Sequence, residues 1–455
     1  MTKLFGTDGI RGEAGVFPLD AQTVETIGAS LATHLRNKLG RAPVILVGRD
    51  TRESGDWIEN ALARGVRHAG SQSKSAGIIT TPGVAFLTRT IPADAGVVIS
   101  ASHNPYKDNG IKVFAPSGRK LDEDTERLIE QDVLAADAHT AHEIDHSSDM
   151  APATDDEAGS LRERYLDFLS NEIGRDLSLR DFRLIVDCAN GAASNVAARL
   201  FERLGASVRA INDAPDGRNI NLGSGSLHME SLQDAVRQQK ADLGVAFDGD
   251  ADRSLFVDSE GHLVNGDATL WVLGKYLKSK GQLHHDTVVA TVMSNIGLEI
   301  AFKSEGIELV RTDVGDKYVL EELLRSDAAL GGEQSGHIIF PRLSLAGDGM
   351  ITTLCLLRAM TQENRTLLEL TGGFKNFPQI LVNVEVTVKK PFAEVQEIQN
   401  VADNIEAELG TRGRLLLRYS GTEPLARVML EGERQDEIEK HADELANIIR
   451  KTLGS

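Results

Sequence analysis

The stretch Leu243-Gly244-Val245-Ala246-Phe247-Asp248-Gly249-Asp250-Ala251-Asp252-Arg253 joins an apolar run to three carboxylates at alternate positions. An uncharged run that ends in a polar turn is typical of a buried strand in an open α/β sheet. Similar runs lie at 44–47, 96–100, 184–187 and 288–292, with longer helix-like segments between them. This alternation predicts βαβ units around largely parallel sheets, with ligands at the carboxyl edge of each sheet.

The length and a late change of pattern indicate several domains. At roughly 150 residues per domain, 455 residues correspond to about three. After residue 373 the pattern changes, because 380–388 alternates like a half-exposed strand while 391–409 and 436–453 have the spacing of amphipathic helices. The end of the chain is therefore predicted to form a smaller α+β domain.

Charge and composition exclude several classes of partner. The 49 Lys and Arg against 68 Asp and Glu give a formal net charge of −19, so we expect no nucleic-acid or anionic-membrane partner. Cys188 and Cys355 are too few for a disulfide framework and suit a reducing compartment. The first residues have no apolar signal-peptide core, and no segment approaches the ~20 apolar residues of a membrane span. We predict a cytoplasmic protein.

The three aspartates of the opening stretch have the composition of a metal site. Three adjacent anions repel one another, and a hard divalent cation relieves that repulsion, so an all-oxygen set favours Mg²⁺ or Ca²⁺ over zinc. An EF-hand loop is excluded, because it needs Gly and Glu where this chain has Arg253 and Ser259. The alternative is a solvated acidic turn.

A second polar segment, Ser100-Ala101-Ser102-His103-Asn104-Pro105, ends the strand at 96–100 and continues to Lys112. A serine at the edge of a strand exposes its hydroxyl, and His103 and Lys112 are candidates for moving its proton. The alternative is a polar turn built on Asn and Pro. The segment is not a Gly-x-Ser-x-Gly elbow, which disfavours acyl-transfer hydrolases.

Two further loops suit a phosphorylated sugar. Arg418-Tyr419-Ser420-Gly421-Thr422-Glu423-Pro424, followed by Arg427, offers backbone N–H groups, hydroxyls and two guanidiniums to a phosphate dianion. Gly331-Gly332-Glu333-Gln334-Ser335-Gly336-His337 offers Glu333 and Ser335 to vicinal hydroxyls. The loops 6–12 and 48–52 also combine glycines with arginines, and each is open to a purely structural reading.

Taken together and in this order, the motifs resemble the α-D-phosphohexomutase superfamily, and within it the bacterial phosphoglucosamine mutases. The resemblance extends from Phe5-Gly-Thr-Asp-Gly-Ile-Arg-Gly12 to Arg418-x-Ser-Gly-Thr-Glu-Pro424. It implies three α/β domains with mixed, largely parallel sheets and a smaller C-terminal α+β domain around a central cleft. The expected domains are 1–155 with the phosphoserine loop, 156–255 with the metal loop, 256–370 with the sugar loop and 371–455 with the phosphate loop.

The resemblance also implies a role for each site residue. Ser102 is expected to carry a phosphate, and one of its oxygens is expected to complete an Mg²⁺ site formed by Asp248, Asp250 and Asp252. Proton transfer or charge stabilisation is expected of Arg11, His103, Lys112 and His337. Substrate binding is expected of Arg253, Lys317, Glu333, Ser335, Arg418, Ser420, Gly421, Thr422 and Arg427. Lys317 stands where many relatives carry Arg, so it keeps the positive charge but lacks the bidentate fork.

The implied reaction interconverts glucosamine 6-phosphate and glucosamine 1-phosphate through a phosphoserine enzyme and a glucosamine 1,6-bisphosphate, which also serves as activator. The product would feed amino-sugar nucleotide and cell-wall precursor synthesis. The phosphate on Ser102 is expected from an upstream kinase or from self-phosphorylation, and a homodimer is compatible with the resemblance. The alternatives are a phosphomannomutase or phosphoglucomutase, a phosphatase with Asp248 as nucleophile, and a Ca²⁺-dependent sugar-binding protein.

Two histidine clusters are given no function. Residues 135–160, which include His139, His142 and His146, fit neither a helix nor a strand and are interpreted as an exposed linker rather than a zinc site. The sequence His284-His285-Asp286 is interpreted as surface.

Overall fold

Residues 4–6, 8–137, 155–420 and 424–454 are described by a computed structural model, and their strands form four sheets. The first sheet has the spatial order β1-β2-β6-β5-β3-β4. The strand β3 pairs in parallel with β4 and β5, whereas β1, β2 and β6 add antiparallel pairs. These strands are β1 (Phe5–Gly6), β2 (Gly9–Glu13), β3 (Val44–Arg49), β4 (Gln72–Ile78), β5 (Ala95–Ile99) and β6 (Asp108–Phe114).

Helices cover this first sheet. They are α1 (Ala21–Leu39), α2 (Gly55–His68), α3 (Thr81–Thr90) and α4 (Glu123–Asp137), followed by α5 (Asp155–Asp167). The helices α1 and α2 pack closely because two glycines face the opposite backbone: a Cβ on Gly65 would lie 1.9 Å from the oxygen of Glu25, and one on Gly28 would lie 2.3 Å from that of Leu62.

The second sheet carries the acidic stretch. Its five strands lie in the order β11-β10-β9-β7-β8, with β7 parallel to β8 and β9, and with β10 antiparallel to both β9 and β11. The strands are β7 (Arg183–Asp187), β8 (Ser207–Ile211), β9 (Leu243–Phe247), β10 (Ser254–Val257) and β11 (Leu263–Val264), and the helices are α6 (Ala197–Arg203) and α7 (Glu230–Gln239). Every residue of β9 is buried, as its apolar sequence predicts.

The third sheet has the order β13-β12-β14-β15 and carries the loop of Glu333 between its last two strands. The strands are β12 (Thr287–Thr291), β13 (Glu308–Thr312), β14 (Gly331–Gly332) and β15 (Ile338–Ile339). The helices are α8 (Gly266–Ser279), α9 (Ile296–Ser304), α10 (Asp316–Ser326), α11 (Gly349–Glu363) and α12 (Leu367–Leu370).

The fourth sheet is antiparallel, in the order β16-β18-β17. It consists of β16 (Gln379–Glu385), β17 (Gly413–Tyr419) and β18 (Leu425–Gly432), accompanied by α13 (Gln396–Leu409) and α14 (Gln435–Leu453). The chain forms two compact units. Unit 1 contains Met1–Val292 and Val310–Gly372, and unit 2 contains Met293–Leu309 and Gly373–Ser455.

The architecture confirms the predicted α/β class with mixed sheets and a small C-terminal α+β domain. The first three sheets each contain parallel pairs, and a hairpin at one edge of each sheet adds an antiparallel pair. All five predicted buried strands are present within one or two residues of their expected bounds. The predicted strand at 380–388 ends at Glu385, and the predicted helix at 391–409 begins at Gln396 after a 3₁₀ turn.

One prediction was wrong in part. Residues 135–137 end α4 and 155–160 begin α5, so the described parts of the proposed linker are helical. Ala158, Leu161 and Tyr165 are buried at helical spacing, a signal that the polar residues around them obscure.

His139, His142 and His146 lie outside the described residues. His284 and its neighbours form an exposed 3₁₀ turn, as predicted. No helix in the described part of the chain is long and apolar enough to cross a membrane.

Candidate active site

The turn after β9 brings three buried carboxylates together. Asp248, Asp250 and Asp252 each offer an oxygen within 4.8 Å of the others. Asp248 and Asp250 are fully buried, and Asp252 is 5% exposed. Ala251 adopts a left-handed φ of 57°, which closes the turn and lets the chain re-enter the sheet as β10.

The donor set of this turn fits a hard divalent cation. The Oδ1 atoms of Asp250 and Asp252 are buried and accept no hydrogen bond from the described residues. Buried carboxylate oxygens without partners are costly, and oxygen ligands are those preferred by Mg²⁺. Burial and the charges of Asp252 and Asp250 raise the pKa of Asp248 well above its usual value, which is the repulsion that a cation would relieve.

Lys112 supplies one positive charge to this cluster. Its Nζ lies 2.9 Å from Oδ2 of Asp250, 3.4 Å from Oδ2 of Asp252 and 3.0 Å from Oδ2 of Asp8. Burial lowers the pKa of Lys112, but the carboxylates outweigh it and hold the pKa well above its ordinary value. Thr81 at the start of α3 also donates to Oδ2 of Asp250, at 2.6 Å. Lys112 is therefore a fixed cation beside the proposed metal ligands.

Ser102 meets the acidic turn directly. Its Oγ donates a hydrogen bond to Oδ2 of Asp248 at 2.5 Å, although the two residues are 146 positions apart in sequence. Ser102 is 1% exposed and lies three residues beyond the end of β5. The hydroxyl and the carboxylates therefore share one site, as the sequence predicts.

His103 is neutral at physiological pH. Burial, Arg253 and Arg11 lower its pKa to about 4. Its Nδ1 lies 3.1 Å from Nη1 of Arg253, and because a guanidinium can only donate, Nδ1 accepts and the ring proton lies on Nε2. The same Nδ1 lies 3.3 Å from Oγ of Ser102, whose proton is directed to Asp248.

The loop predicted to bind the sugar, residues 331–337, lies next to the acidic turn, and both line a cavity of about 430 Å³. The cavity is lined by Arg11, Asp252, Arg253, Glu333 and His337 among others. Glu333 accepts a hydrogen bond from the backbone N–H of Gly315 at 3.2 Å. The hydroxyl of Ser335 is buried and has no hydrogen-bond partner in the part of the chain that the structure describes.

His337 is positively charged at neutral pH. Its Nδ1 lies 3.6 Å from Oδ1 of Asp252, and its Nε2 lies 3.9 Å from Oδ2 of Asp316. Burial lowers its pKa, but the charges of Asp252, Asp316 and Glu333 raise it to about 9. His337 can therefore donate a proton or stabilise a negative charge on a ligand of this cavity.

Arg11 and Lys317 differ in their surroundings. Arg11 donates to Asp8 and lines the 430 Å³ cavity. Lys317 is bonded to Glu123 and lines an adjoining cavity of about 580 Å³, which shares Asp252 and His337 with the first. The structure thus places Lys317 beside the predicted sugar site rather than on its lining.

Unit 2 holds the predicted phosphate loop. Arg418 on β17 stands directly opposite Arg427 on β18. Ser420 Oγ accepts from Nη2 of Arg427 at 3.4 Å, and the carbonyl of Ser420 accepts from Nζ of Lys389 at 2.6 Å. Gly421 and Thr422 lie outside the described residues. Two guanidiniums and an ammonium around one loop suit a phosphate dianion.

Some contributors to the site have no sequence signal. Thr81 and Asn221 lie in segments that read as ordinary turns, and Lys389 lies two residues before Pro391. The loop containing Arg52 is distinguished in sequence only by its arginines and glycine, which assign it no role. The contacts of these residues join segments distant in sequence, so only the fold reveals them.

Comparison with known proteins shows that four segments of the chain match four domain families of one enzyme group. The phosphoglucomutase/phosphomannomutase α/β/α domains I, II and III match residues 2–140, 163–261 and 265–377, and the C-terminal domain matches 381–448. The chain belongs to the phosphoglucomutase/phosphomannomutase family. The matched domains follow the order of the four sheets along the chain.

Curated members of the family are similar over their whole length. A protein of Solibacter usitatus (strain Ellin6076) named phosphoglucosamine mutase is 50% identical over 451 residues, covering 99% of both chains. A protein of the same name from Koribacter versatilis (strain Ellin345) is 47% identical over 458 residues, covering 99% of this chain and 97% of its own. A crystal structure of a phosphoglucomutase/phosphomannomutase family protein from Burkholderia thailandensis shares the fold, with a TM-score of 0.77, 24% identity and coverage of 99% and 97%.

Proposed function

We propose that the protein is a phosphoglucosamine mutase, an isomerase that interconverts glucosamine 6-phosphate and glucosamine 1-phosphate by way of a phosphate on Ser102. The observation that carries this proposal is the 2.5 Å hydrogen bond from Oγ of Ser102 to Asp248, within a buried triad of carboxylates. The curated relatives at 50% and 47% identity bear this name. Product release would supply amino-sugar nucleotide and cell-wall precursor synthesis.

Asp248, Asp250, Asp252 and an oxygen on Ser102 are the residues that would hold Mg²⁺. When bound, the ion would supply positive charge to the phosphoryl group, which bears about −1.5 to −2 at neutral pH. Lys112 lies against Asp250 and Asp252, so it neutralises part of the charge of the turn whether or not a phosphate is present.

The reaction requires two phosphoryl transfers. In the first, a hydroxyl oxygen of the substrate attacks the phosphorus on Ser102, the bond to Oγ breaks, and a 1,6-bisphosphate results. In the second, Oγ of Ser102 attacks the other phosphorus of the reoriented bisphosphate, the bond from that phosphorus to the sugar oxygen breaks, and the phosphoserine is restored. In net terms, the proton of the attacking sugar hydroxyl ends on Oγ in the first transfer, and the proton of Oγ ends on the freed sugar oxygen in the second. His337 and Lys112 are protonated at neutral pH and stabilise the transferred charge, while neutral His103 orients Arg253.

We assign the substrate contacts to polar residues of each unit separately. We assign Glu333 and Ser335 to the sugar hydroxyls, because the Ser335 hydroxyl is buried without a partner among the described residues. Arg253 and Arg11 are assigned to substrate oxygens in the same cavity. A phosphate group is assigned to the loop of Arg418, Ser420, Gly421, Thr422 and Arg427. The same proposal includes domain boundaries after residues 155, 255 and 370 and a homodimer. It also includes a kinase or self-phosphorylation as the source of the phosphate on Ser102.

The test is a coupled assay with glucosamine 6-phosphate, Mg²⁺ and a trace of bisphosphate, run beside glucose and mannose phosphates. We expect turnover to be highest with the hexosamine phosphate, and Ser102→Ala to remove nearly all of it while the protein stays folded by circular dichroism. Higher turnover with mannose or glucose phosphate would make the protein a different mutase of the family. Activity of Ser102→Ala near wild type, with loss in Asp248→Asn, would indicate an aspartate-nucleophile phosphatase.

A further inference from the structure

Ser102 has a backbone conformation that an L-amino acid rarely adopts. Its φ is 53°, in the left-handed region, where a residue with a Cβ is strained. Its N–H donates to Oγ of Ser100 at 2.9 Å, and Ser100 Oγ donates to Oδ2 of Asp50 at 2.6 Å. The direction of the Ser102 hydroxyl therefore depends on what holds the serine backbone.

Arg52 uses all five of its guanidinium N–H groups, four of them on the carbonyls of the segment from Ser102 to Asp108. Its Nε donates to Asp50 at 2.9 Å, its Nη1 to the carbonyls of Pro105 and Asp108, and its Nη2 to those of Ser102 and Asn104, both at 2.9 Å. The side chain is 1% exposed, and nothing in this set of bonds leaves a donor for a ligand.

Asn221, which lies between β8 and α7, contacts the carbonyls of Ser102 and Asn104 as well. Its Nδ2 donates to the carbonyl of Ser102 at 2.9 Å and to that of Asn104 at 3.0 Å. Each of these carbonyls thus receives one hydrogen bond from Arg52 and one from Asn221, which satisfies both of its lone pairs. Asn221 is held in turn by its own N–H, which donates to the carbonyl of Ala189 at 2.9 Å.

The acidic turn also packs against the carbonyl oxygen of Ser102. A Cβ on Gly249 would lie 2.5 Å from the carbonyl oxygen of Ser102, so Gly249 lets the turn approach that carbonyl closely. The Ser102 carbonyl therefore lies between Arg52, Asn221 and the turn that bears Asp248. Neither Arg52 nor Asn221 lines the cavity of Arg11 and Glu333.

We propose that Arg52 and Asn221 are positioning residues for the phosphoryl carrier. By clamping the carbonyl of Ser102, they keep its backbone left-handed and its Oγ directed at Asp248 in both the free and the phosphorylated enzyme. This inference rests on the proposed function, because it assumes that Ser102 carries the phosphate. Misplacing a reacting atom by about 1 Å can cost roughly 100-fold in rate without weakening substrate binding.

The decisive variant is Asn221→Gly. Asn221 has a left-handed φ of 59°, which glycine adopts without strain, so the variant removes the amide but keeps the backbone and its N–H. The matched control is Asn212→Gly: Asn212 has a φ of 49°, and its Nδ2 donates to Asp187 at 3.0 Å rather than to the serine loop. Arg52→Lys, which keeps the charge but loses the planar fork, is the second variant.

Two quantities are measured for each protein: kcat and KM with glucosamine 6-phosphate, and the single-turnover rate at which glucose 1,6-bisphosphate phosphorylates Ser102, followed by mass spectrometry. Asn221→Gly is expected to lower kcat and the phosphorylation rate by the same factor, about ten-fold or more, with KM within about two-fold of wild type. Asn212→Gly is expected to leave both near wild type. Arg52→Lys is expected to lose at least as much kcat as Asn221→Gly.

Other outcomes overturn the inference. If Asn221→Gly matches Asn212→Gly in both rates, or raises KM and leaves kcat unchanged, the clamp has no positioning role. Should Arg52→Lys fail to fold, Asn221→Gly alone decides the question. A wild-type protein that neither turns over glucosamine 6-phosphate nor accepts phosphate on Ser102 would instead refute the proposed function, so the two failures are distinguishable.

Discussion

The two oxygens of each carboxylate in the acidic turn have different partners. Oδ2 of Asp250 receives hydrogen bonds from Thr81 and Lys112, whereas its Oδ1 is buried and accepts none from the residues described. In Asp248 both oxygens accept, one from the backbone of Arg253 and one from Ser102. Oδ1 of Asp250 is therefore available to a cation.

Asp250→Asn is expected to weaken Mg²⁺ binding by roughly ten-fold or more, because it removes a charge and one carboxylate oxygen from an all-oxygen site. Isothermal titration with Mg²⁺ measures the change without reference to activity. Asp258→Asn is the matched control, since Asp258 is 1% exposed and, among the described residues, its carboxylate bonds only to its own turn, including the N–H groups of Glu260 and His262. Equal Mg²⁺ affinities in wild type and Asp250→Asn would exclude Asp250 as a ligand.

Asp348 gives a prediction for the pH dependence of stability. It caps α11 by accepting from the N–H groups of Met350 and Ile351, and it accepts from the hydroxyl of Tyr165 at 2.7 Å. Burial nevertheless raises the pKa of Asp348 to about 6. A carboxyl whose pKa is higher in the folded than in the unfolded state contributes stability below about pH 3.9, and this contribution is lost as the pH rises through 6.

Asp348→Asn keeps the cap and removes this titration. Between pH 4 and 7 the wild type loses the stability that the protonated carboxyl contributes, whereas the variant does not. The free energy of unfolding of the variant relative to wild type is therefore expected to rise by up to about 3 kcal/mol over this range, since the pKa of Asp348 is raised to about 6. Urea unfolding across this range measures it. Tyr165→Phe, which removes a donor to the charged form, is expected to have the opposite effect. Parallel pH profiles for wild type and Asp348→Asn would contradict the prediction.

At this scale the sequence predicted that Ser102 and the three aspartates lie together, but it did not predict the residues that support them. Ser102 and the three aspartates follow buried strands, so their position at a sheet edge is visible from apolar runs alone. Thr81 and Asn221 contact Asp250 and the serine loop within unit 1, and Lys389 contacts Ser420 within unit 2. Each contact joins segments that are distant in sequence, so it depends on how the chain packs. No local pattern distinguishes them from other Thr, Asn or Lys residues in turns.

Among the elements, the hairpin of β17 and β18 carries an unfavourable pairing. Arg418 and Arg427 face each other across the two strands, and like charges directly opposite destabilise a sheet. An anion between or beside them relieves the repulsion. The pairing is therefore expected to make this hairpin more stable when phosphate is bound.

Arg418→Ala tests the hairpin as a phosphate site. KM for glucosamine 6-phosphate is expected to rise by about ten-fold or more, with a smaller change in kcat, because a charge-assisted bidentate contact is lost. Inorganic phosphate is expected to raise the Tm of wild type more than that of the variant. Arg412→Ala is the control, since Arg412 is exposed at the start of the hairpin and pairs with Glu433. An unchanged KM would place the phosphate elsewhere.

Strands were easier to predict than the ends of helices. The strand β9 was predicted at its observed bounds because its residues are uncharged and uniformly buried. The start of α5 was missed, since its apolar positions at Ala158 and Leu161 are separated by polar residues. Likewise, Phe392–Glu394 forms a 3₁₀ turn ahead of α13, although the apolar spacing runs continuously from 391.

For the whole molecule, the sequence located the start of the C-terminal unit but not its other part. The change of pattern near 373 coincides with the second segment of unit 2. The segment Met293–Leu309 belongs to the same unit, yet it reads as an ordinary helix between two strands. Its membership depends on buried contacts to Glu431, which periodicity does not reveal.

Glu431 joins the two segments of unit 2. It is fully buried, and it accepts from Nδ2 of Asn295 at 3.3 Å, the N–H of Ile296 at 3.2 Å and Nε of Arg414 at 3.0 Å. Removing one partner of a buried ion pair typically costs about 3–5 kcal/mol, and the partial exposure of Arg414 favours the lower end.

Glu431→Ala is expected to lower the free energy of unfolding of unit 2 by about 3 kcal/mol. Hydrogen exchange should show loss of protection in residues 293–309 and in β16 to β18, with β5 and β9 unchanged. Glu433→Ala removes an exposed carboxylate two residues away and should have little effect. Equal loss of protection throughout the chain would show that the two units do not unfold separately.

Unit 2 is formed by two segments that are separated in sequence, and this separation affects when the unit can fold during translation. Asn295 is synthesised 136 residues before Glu431, its buried partner. On the ribosome, α9 must therefore wait for β16 to β18 to emerge, while the segment of unit 1 that follows it is translated in between. The side-chain amide of Asn295 and the backbone N–H of Ile296, at the start of α9, therefore lack their buried acceptor until Glu431 has been synthesised.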